Sequence, residues 1–272
     1  MPAADKKLVR NFWDEASCGE HLYLTSLTRE GYLNQSRQRY ALEPYIEEFA
    51  RFHEARGRKV LEVGIGLGAD HQCFAEAGAD LFGMDLTLRA IEHVRRRFRA
   101  FDLPCKVVAG DVEDLPFPDD CFDIVYAWGV IHHSPDTAKA ARQILSVLKP
   151  GGTFRVMIYH KYSIVGLMLW VRYALLRLRP FTSLARVYAR YLESPGTKAY
   201  TVGRAKALFS GAESVVVSTV LTHGDLLTSA AGQRHQGPLL TLARHFWPRA
   251  LIRKLMPGFG LFLLIEGRKP VG

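Results

Sequence analysis

The chain has 272 residues, 48% of them hydrophobic and 23% charged, which excludes a disordered or fibrous protein and leaves a globular one large enough for a sizeable core. The net charge of +9 is unevenly placed: residues 1–160 hold 20 Lys and Arg against 23 Asp and Glu, and residues 161–272 hold 16 against 4. Cys18, Cys73, Cys105 and Cys121 show no CxxC spacing, so neither a disulfide framework nor a metal site is expected.

The cysteines read as small buried residues of a reducing cytoplasm, and no apolar signal segment follows Met1, so the expected location is cytoplasmic. Residues 1–58 read as a helical N-terminal extension. Apolar positions at helical spacing run from Tyr40 to Phe52. Upstream, Phe12, Trp13, Tyr23, Tyr32 and Tyr40 are either a lid that folds over a bound molecule or the apolar seam of docked helices.

From 59 to 160 the pattern alternates, with strands over 59–63, 80–85, 105–109, 122–127 and 153–159 and helices over 69–78, 87–100 and 136–148. That rhythm predicts an α/β fold with a parallel sheet between helices. The first strand runs into Gly64, Gly66 and Gly68 and then a helix, an arrangement that lets a ligand approach backbone amides at a helix start. The second strand ends at Asp85, about twenty residues on, where ribose hydroxyls of a nucleotide can be bonded.

The rhythm breaks over 161–200, read as an apolar and basic helical insertion after the fifth strand. Ile164 to Val171 is apolar but for Gly166, and on one helix Lys161, Arg172 and Arg179 would share a stripe. The run is too short to span a bilayer. It suits an interface with anionic lipid, a cap on a pocket, or a helix buried against its own domain or a dimer partner. Residues 201–272 read as the end of the same fold: a helix over 200–209, strands from Ser214 to Thr222 and from Gly260 to Ile265, and a helix over 239–255 between them. The excess positive charge of this half points to an anionic partner or to a solvated basic surface.

Six segments in order carry a family likeness: Glu62-Val-Gly-Ile-Gly-Leu-Gly68, Asp85, Gly110-Asp-Val-Glu-Asp-Leu-Pro-Phe117, Phe122-Asp-Ile-Val-Tyr126, Gly129-Val-Ile-His-His133 and Leu148-Lys-Pro-Gly-Gly152. Together they resemble the class I S-adenosylmethionine-dependent methyltransferases, especially the ubiquinone and menaquinone subgroup, over about residues 55–160. The resemblance implies a Rossmann-like seven-stranded, mostly parallel sheet with an antiparallel last strand, and S-adenosylmethionine as cofactor. It implies that Gly64, Ile65, Gly66 and Gly68 pass the methionine end, with Glu62 supporting the loop. Asp85 would take the ribose hydroxyls and Leu86 the adenine face. Asp111 would accept from the adenine amino group beside the Val112 amide, and Ala127 and Trp128 would lie near the sulfonium.

Methyl transfer needs a general base only when the acceptor loses a proton. His132 and His133 follow the fourth strand, where a loop-holding role is the first reading, with His133 a second candidate for the base. His160, just after the fifth strand beside Tyr159, is the first candidate. His21, His223 and Asp225 are fainter ones, and Tyr32, Tyr40, Tyr159 and His223 are the expected lid and acceptor contacts. The acceptor is expected to be small and hydrophobic, with peripheral contact to an anionic membrane. Nucleic acid is not expected, because Ala127-Trp128-Gly129-Val130 stands where base methylation would need an Asn-Pro-Pro-Tyr-like run. Two alternatives remain: a protein that binds the cofactor without transferring methyl, and an NAD-dependent oxidoreductase, whose permissive fingerprint Gly64-x-Gly66-x-x-Ala69 also satisfies.

Overall fold

Val60, Leu61 and Val63 are all buried, and because successive strand side chains point to opposite faces, they feed two separate cores. A sheet in that position must be covered by helices on both sides. In the computed structural model, which describes residues 5–229 and 244–271, the strands are β1 (Lys59–Val63), β2 (Asp80–Asp85), β3 (Val107–Ala109), β4 (Phe122–Trp128), β5 (Leu148–Tyr159), β6 (Glu213–Val220) and β7 (Phe262–Arg268). They form one sheet in the order β3-β2-β1-β4-β5-β7-β6. β1 to β5 run parallel, and β7 is antiparallel to both β5 and β6, as the resemblance implied. The winding reverses between β1 and β4, which opens a crevice at their carboxyl ends.

The core helices are α5 (Ala69–Glu76), α6 (Leu88–Ala100), α7 (Thr137–Val147) and α10 (Val202–Leu208); α1 (Lys6–Glu15), α2 (Glu20–Tyr23), α3 (Arg29–Leu42) and α4 (Tyr45–Ala50) precede the sheet. α8 (Ile164–Tyr173) and α9 (Leu184–Tyr191) follow β5, α11 (His223–Leu226) follows β6, and α12 (Arg249–Leu255) precedes β7. A buried arginine ties the N-terminal helices down. Arg97, 1% exposed, donates to Gln72 of α5 at 2.6 Å, Gln35 of α3 at 2.8 Å and the Leu67 carbonyl at 3.0 Å. Glu20 of α2 takes both arms of Arg89 on α6, at 2.5 and 2.7 Å.

Several boundaries differ from expectation. The helix expected from Tyr40 to Phe52 is broken at Pro44, which lacks an amide proton and disfavours helix at the residue before it. β5 begins at Leu148, because Lys149-Pro-Gly-Gly continues the strand through a register shift opposite Phe122 and Ile124. The stripe of Lys161, Arg172 and Arg179 does not exist: α8 stops at Tyr173, and Arg179 lies beyond a left-handed turn at Leu178. Of the helix expected over 239–255, residues 239–243 lie outside the described residues. The remainder is interrupted at Trp247-Pro248 before α12. The cysteines are free but not buried: Cys18 and Cys105 are exposed, Cys73 and Cys121 half-buried. Among the described residues, no helix is long and apolar enough to cross a membrane.

Candidate functional site

The carboxyl ends of β1, β2 and β4, together with α1 to α3 and α8, enclose a cavity of about 1000 Å³. Gly64, Ile65, Gly66 and Gly68 all line it. Gly64 has φ +77°, and a Cβ there would stand 2.1 Å from Val130 Cγ2, so the loop after β4 can lie directly against it. At Gly66, φ is +49° and a Cβ would meet nothing within 4 Å; bare backbone faces open space, the cradle a bound nucleoside requires.

Asp85, Leu86, Asp111, Val112 and Trp128 line the same cavity. The Asp85 carboxylate holds the glycine loop in place, accepting from Gly66 N at 3.2 Å and from Thr87 N and Oγ1 at 2.9 and 2.8 Å. Oδ1 takes both Thr87 donors and Oδ2 only the Gly66 amide, so Oδ2 has capacity for a sugar hydroxyl. Asp111 accepts from Glu113 N at 2.9 Å, and Lys6 of α1 reaches its other oxygen at 2.5 Å and Glu113 at 2.8 Å. Trp128 stacks between Tyr45 and Tyr126, with centroids 6.1 and 6.4 Å away.

Beneath the loop lies a buried polar network that the sequence patterns do not announce. Glu62, which lines the cavity, meets His71 Nδ1 at 2.8 Å. Burial raises the Glu62 carboxyl well above its ordinary range, and burial pushes the His71 ring down to about 3, so both favour their uncharged forms. Asp70 goes the other way. Burial alone would raise it, but Arg39, donating at 3.0 and 2.7 Å, and the hydroxyls of Tyr40 and Tyr126, at 2.9 and 3.0 Å, hold it low. Glu43, 3.4 Å from Arg39, is driven by burial up to about 7 against the pull of that guanidinium.

At the β4–β5 end, His133, Tyr159 and Glu193 face the cavity. The Thr197 hydroxyl donates to the Ser194 carbonyl at 2.7 Å, so its oxygen, 3.2 Å from His133 Nδ1, is left to accept. Ser194 Oγ stands 2.8 Å from the same nitrogen. Nδ1 thus faces two hydroxyls, and Nε2 lies 3.3 Å from the Glu193 carboxylate. A proton taken up there would sit between imidazole and carboxylate. Burial keeps the Tyr159 phenol protonated, and its hydrogen bond with Glu193 adds to that. His132, His133 and Glu193 also place donor atoms within 4.8 Å of one another, the one trio of metal-ligand type among the described residues. The neighbouring wall is apolar: Val165, Met168 and Leu169 of α8, with Leu192, Leu261 and Phe262.

Other expected site residues fall elsewhere. His160 does not line the cavity; its Nδ1 meets the Gly260 carbonyl at 3.1 Å and its backbone amide the Leu261 carbonyl at 2.7 Å. Tyr32 and Tyr40 are not lid aromatics, because Tyr32 is 0% exposed with its hydroxyl on the His93 carbonyl at 3.3 Å, and Tyr40 is committed to Asp70. Ala127 points the opposite way from Trp128, into the core under α7. His132 is fully buried, and His21 lies on the surface outside the cavity. His223 does line the cavity, but Asp225 is a hub: it caps α11 through Thr222 and accepts from Val165 N at 3.1 Å and Leu261 N at 2.8 Å. The residues not foreseen in the site are Lys6, Arg39, Glu43, Asp70 and Glu193. Four of them come from segments without a spaced motif, and Asp70, two residues past the glycine loop, reads in the sequence only as part of the helix that follows.

Residues 61–156 match the family model described as a methyltransferase domain. The chain is 35% identical over 104 residues to a probable S-adenosylmethionine-dependent methyltransferase of Mycolicibacterium smegmatis, covering 38% of this chain and 39% of that one. It is 35% identical over 126 residues to a sterol 24-C-methyltransferase of Aspergillus fumigatus, covering 42% and 33%. A demethylmenaquinone methyltransferase of Renibacterium salmoninarum is 34% identical over 96 residues, 35% of this chain and 39% of that one. The matched part thus spans two fifths or less of these relatives. Among solved structures, phosphoethanolamine N-methyltransferase 2 of Haemonchus contortus shares the fold at TM-score 0.60 and 16% identity, over 96% of this chain and 60% of that one. The (4+2)-cyclase SpnF shares it at TM-score 0.55 and 18% identity, over 88% and 82%.

Proposed function

We propose that this chain, which carries a class I S-adenosylmethionine-dependent methyltransferase domain over residues 61–156, moves a methyl group from that cofactor to a small apolar acceptor. The observation that carries the reading is the single cavity joining the Gly64–Gly68 loop, Asp85 and Asp111 to the His133–Glu193 pair and the apolar wall of α8. The cofactor supplies an activated methyl on sulfur; the protein supplies alignment, dryness and a place for a proton. Gly64 and Gly66 let the methionine end lie close to the backbone, Asp85 takes the ribose, and Asp111 takes the adenine edge. Trp128 stands at the β4 tip between this half and the acceptor half.

The acceptor lies between Tyr159 and α8, its reacting atom toward His133. Where that atom is a hydroxyl or a protonated amine, His133 Nε2 takes the proton and Glu193 stabilises the imidazolium. His133 thus replaces His160 as the proposed base. The sterol and menaquinone names among the relatives support a lipid-soluble acceptor.

Two measurements test this. Calorimetry with S-adenosylmethionine and with NADH should give binding to the first alone; binding to NADH alone would overturn the reading in favour of an oxidoreductase. Incubation with methyl-labelled cofactor and an organic-solvent extract of cells should place label in an apolar product. A second reading, cofactor binding without methyl transfer, is kept because one fold neighbour is named a cyclase; labelled cofactor bound but never consumed would establish it.

A further inference from the structure

The turn between α8 and α9 carries apolar side chains that nothing in the described chain covers. Leu176 is 63% exposed, Leu178 91% and Phe181 99%. The backbone behind them is tied down: Leu178 N donates to the Leu175 carbonyl at 3.0 Å, Arg179 N to the Ala174 carbonyl at 2.8 Å, and Trp170 Nε1 to the Thr182 carbonyl at 2.9 Å. Leu178 sits at φ +55°, where a leucine is strained and a glycine or asparagine would rest easily. Folding alone favours polar or flexible residues at such a tip. These side chains suit an apolar medium outside the chain.

The charge beside them says which medium. From residue 161 to 192 the chain has six Lys and Arg and no Asp or Glu. Arg172 and Arg177 lie over the Tyr173 ring, 5.4 and 5.0 Å from its centroid, and among the described residues neither pairs with a carboxylate. Basic side chains around an apolar tip, with no spanning helix among the described residues, match the surface of one anionic leaflet. The patch is also continuous with the cavity: Leu167 and Leu176, 56% and 63% exposed, belong to its wall as well, and so does Arg172.

We infer that this corner docks on an anionic lipid bilayer, with Leu178 and Phe181 entering the acyl boundary and Arg172, Arg177 and Arg179 meeting lipid phosphates. Leu167 and Leu176 then flank the entrance through which the acceptor passes from membrane to cavity. The entrance rests on the apolar acceptor proposed above; the docking does not.

The full chain is sedimented with vesicles of phosphatidylcholine alone and of phosphatidylcholine mixed with phosphatidylglycerol, at low and high salt. Binding is expected to the mixed vesicles, weakening as salt rises. The double variant Leu178→Ser with Phe181→Ser should lose at least about thirty-fold in partitioning, since two large apolar side chains no longer leave water. Neither residue lines the cavity, so binding of S-adenosylhomocysteine by that variant should be unchanged. Wild-type chain that stays in the supernatant with mixed vesicles overturns the inference, as does a double variant that sediments like wild type. A concentration-dependent dimer abolished by the same variant, without vesicle binding, assigns the corner to a second copy and overturns it too. Vesicle binding without any methylated product leaves the docking standing and removes the proposed activity instead.

Discussion

At the β1–β2 end of the cavity Asp70, Glu62 and Asp85 each have a named hydrogen-bond partner at a stated distance, whereas the α8 end is walled by Val165, Met168, Leu169 and Phe262, which need only fill space. Hydrogen bonds are directional and fail if one partner moves, so the first end tolerates few sequences. Apolar packing asks for volume and shape, which many sequences supply. On the proposed function, cofactor binding would fall to the demanding end and the choice of acceptor to the permissive one.

Four substitutions or conditions probe that contrast. Arg39→Met should have the largest effect, about 3–5 kcal/mol of stability by urea unfolding, because it strands a buried Asp70 carboxylate. If it costs no more than trimming the exposed Leu167 to Ala, the network is not what holds that end. His133→Ala should lower kcat by roughly 10²–10³ while leaving S-adenosylhomocysteine affinity intact, which places proton transfer at the acceptor end. Asp85→Asn should weaken that nucleoside by about 10–100-fold in calorimetry, since a charge-assisted acceptor becomes a neutral amide.

Acid should act least, and on the N-terminal helices. Burial would raise the Glu20 carboxyl, but Arg89 and the Ser17 amide overcome it and hold it at about 2. A depressed carboxyl contributes stability above its unfolded value near 4.5 that is lost as pH falls toward 2. The contribution is roughly 1–2 kcal/mol, reduced because Arg89 is partly open to screening water. The slope of stability with pH across that window should flatten in Glu20→Gln.

The same contrast explains what the sequence alone conveyed. The glycine loop, Asp85, Gly110-Asp111 and the alternation of strands and helices are local patterns, and they point directly to β1 to β5 and a parallel sheet; the strand order comes from the folded chain. Glu193, Lys6 and Arg39 enter the site from segments outside its motifs, and only the folded chain brings them in. His160 and Ala127 were misplaced for a different reason: position at a strand end does not say which face a side chain takes. His160 turned to the Gly260 carbonyl and Ala127 to the core. Pro44 and Leu178 broke helical periods that apolar spacing had suggested.

Lys6 bridges Asp111 and Glu113, and Val9, Phe12 and Trp13 of the same ten-residue helix form cavity wall. On the proposed function, an adenine edge at Asp111 would share that carboxylate with an ammonium, and the helix carrying the ammonium would wall the same nucleoside. The grip on that nucleoside would then depend on a contact made from the amino-terminal side, one lysine against two acids, as well as on the loop after β1.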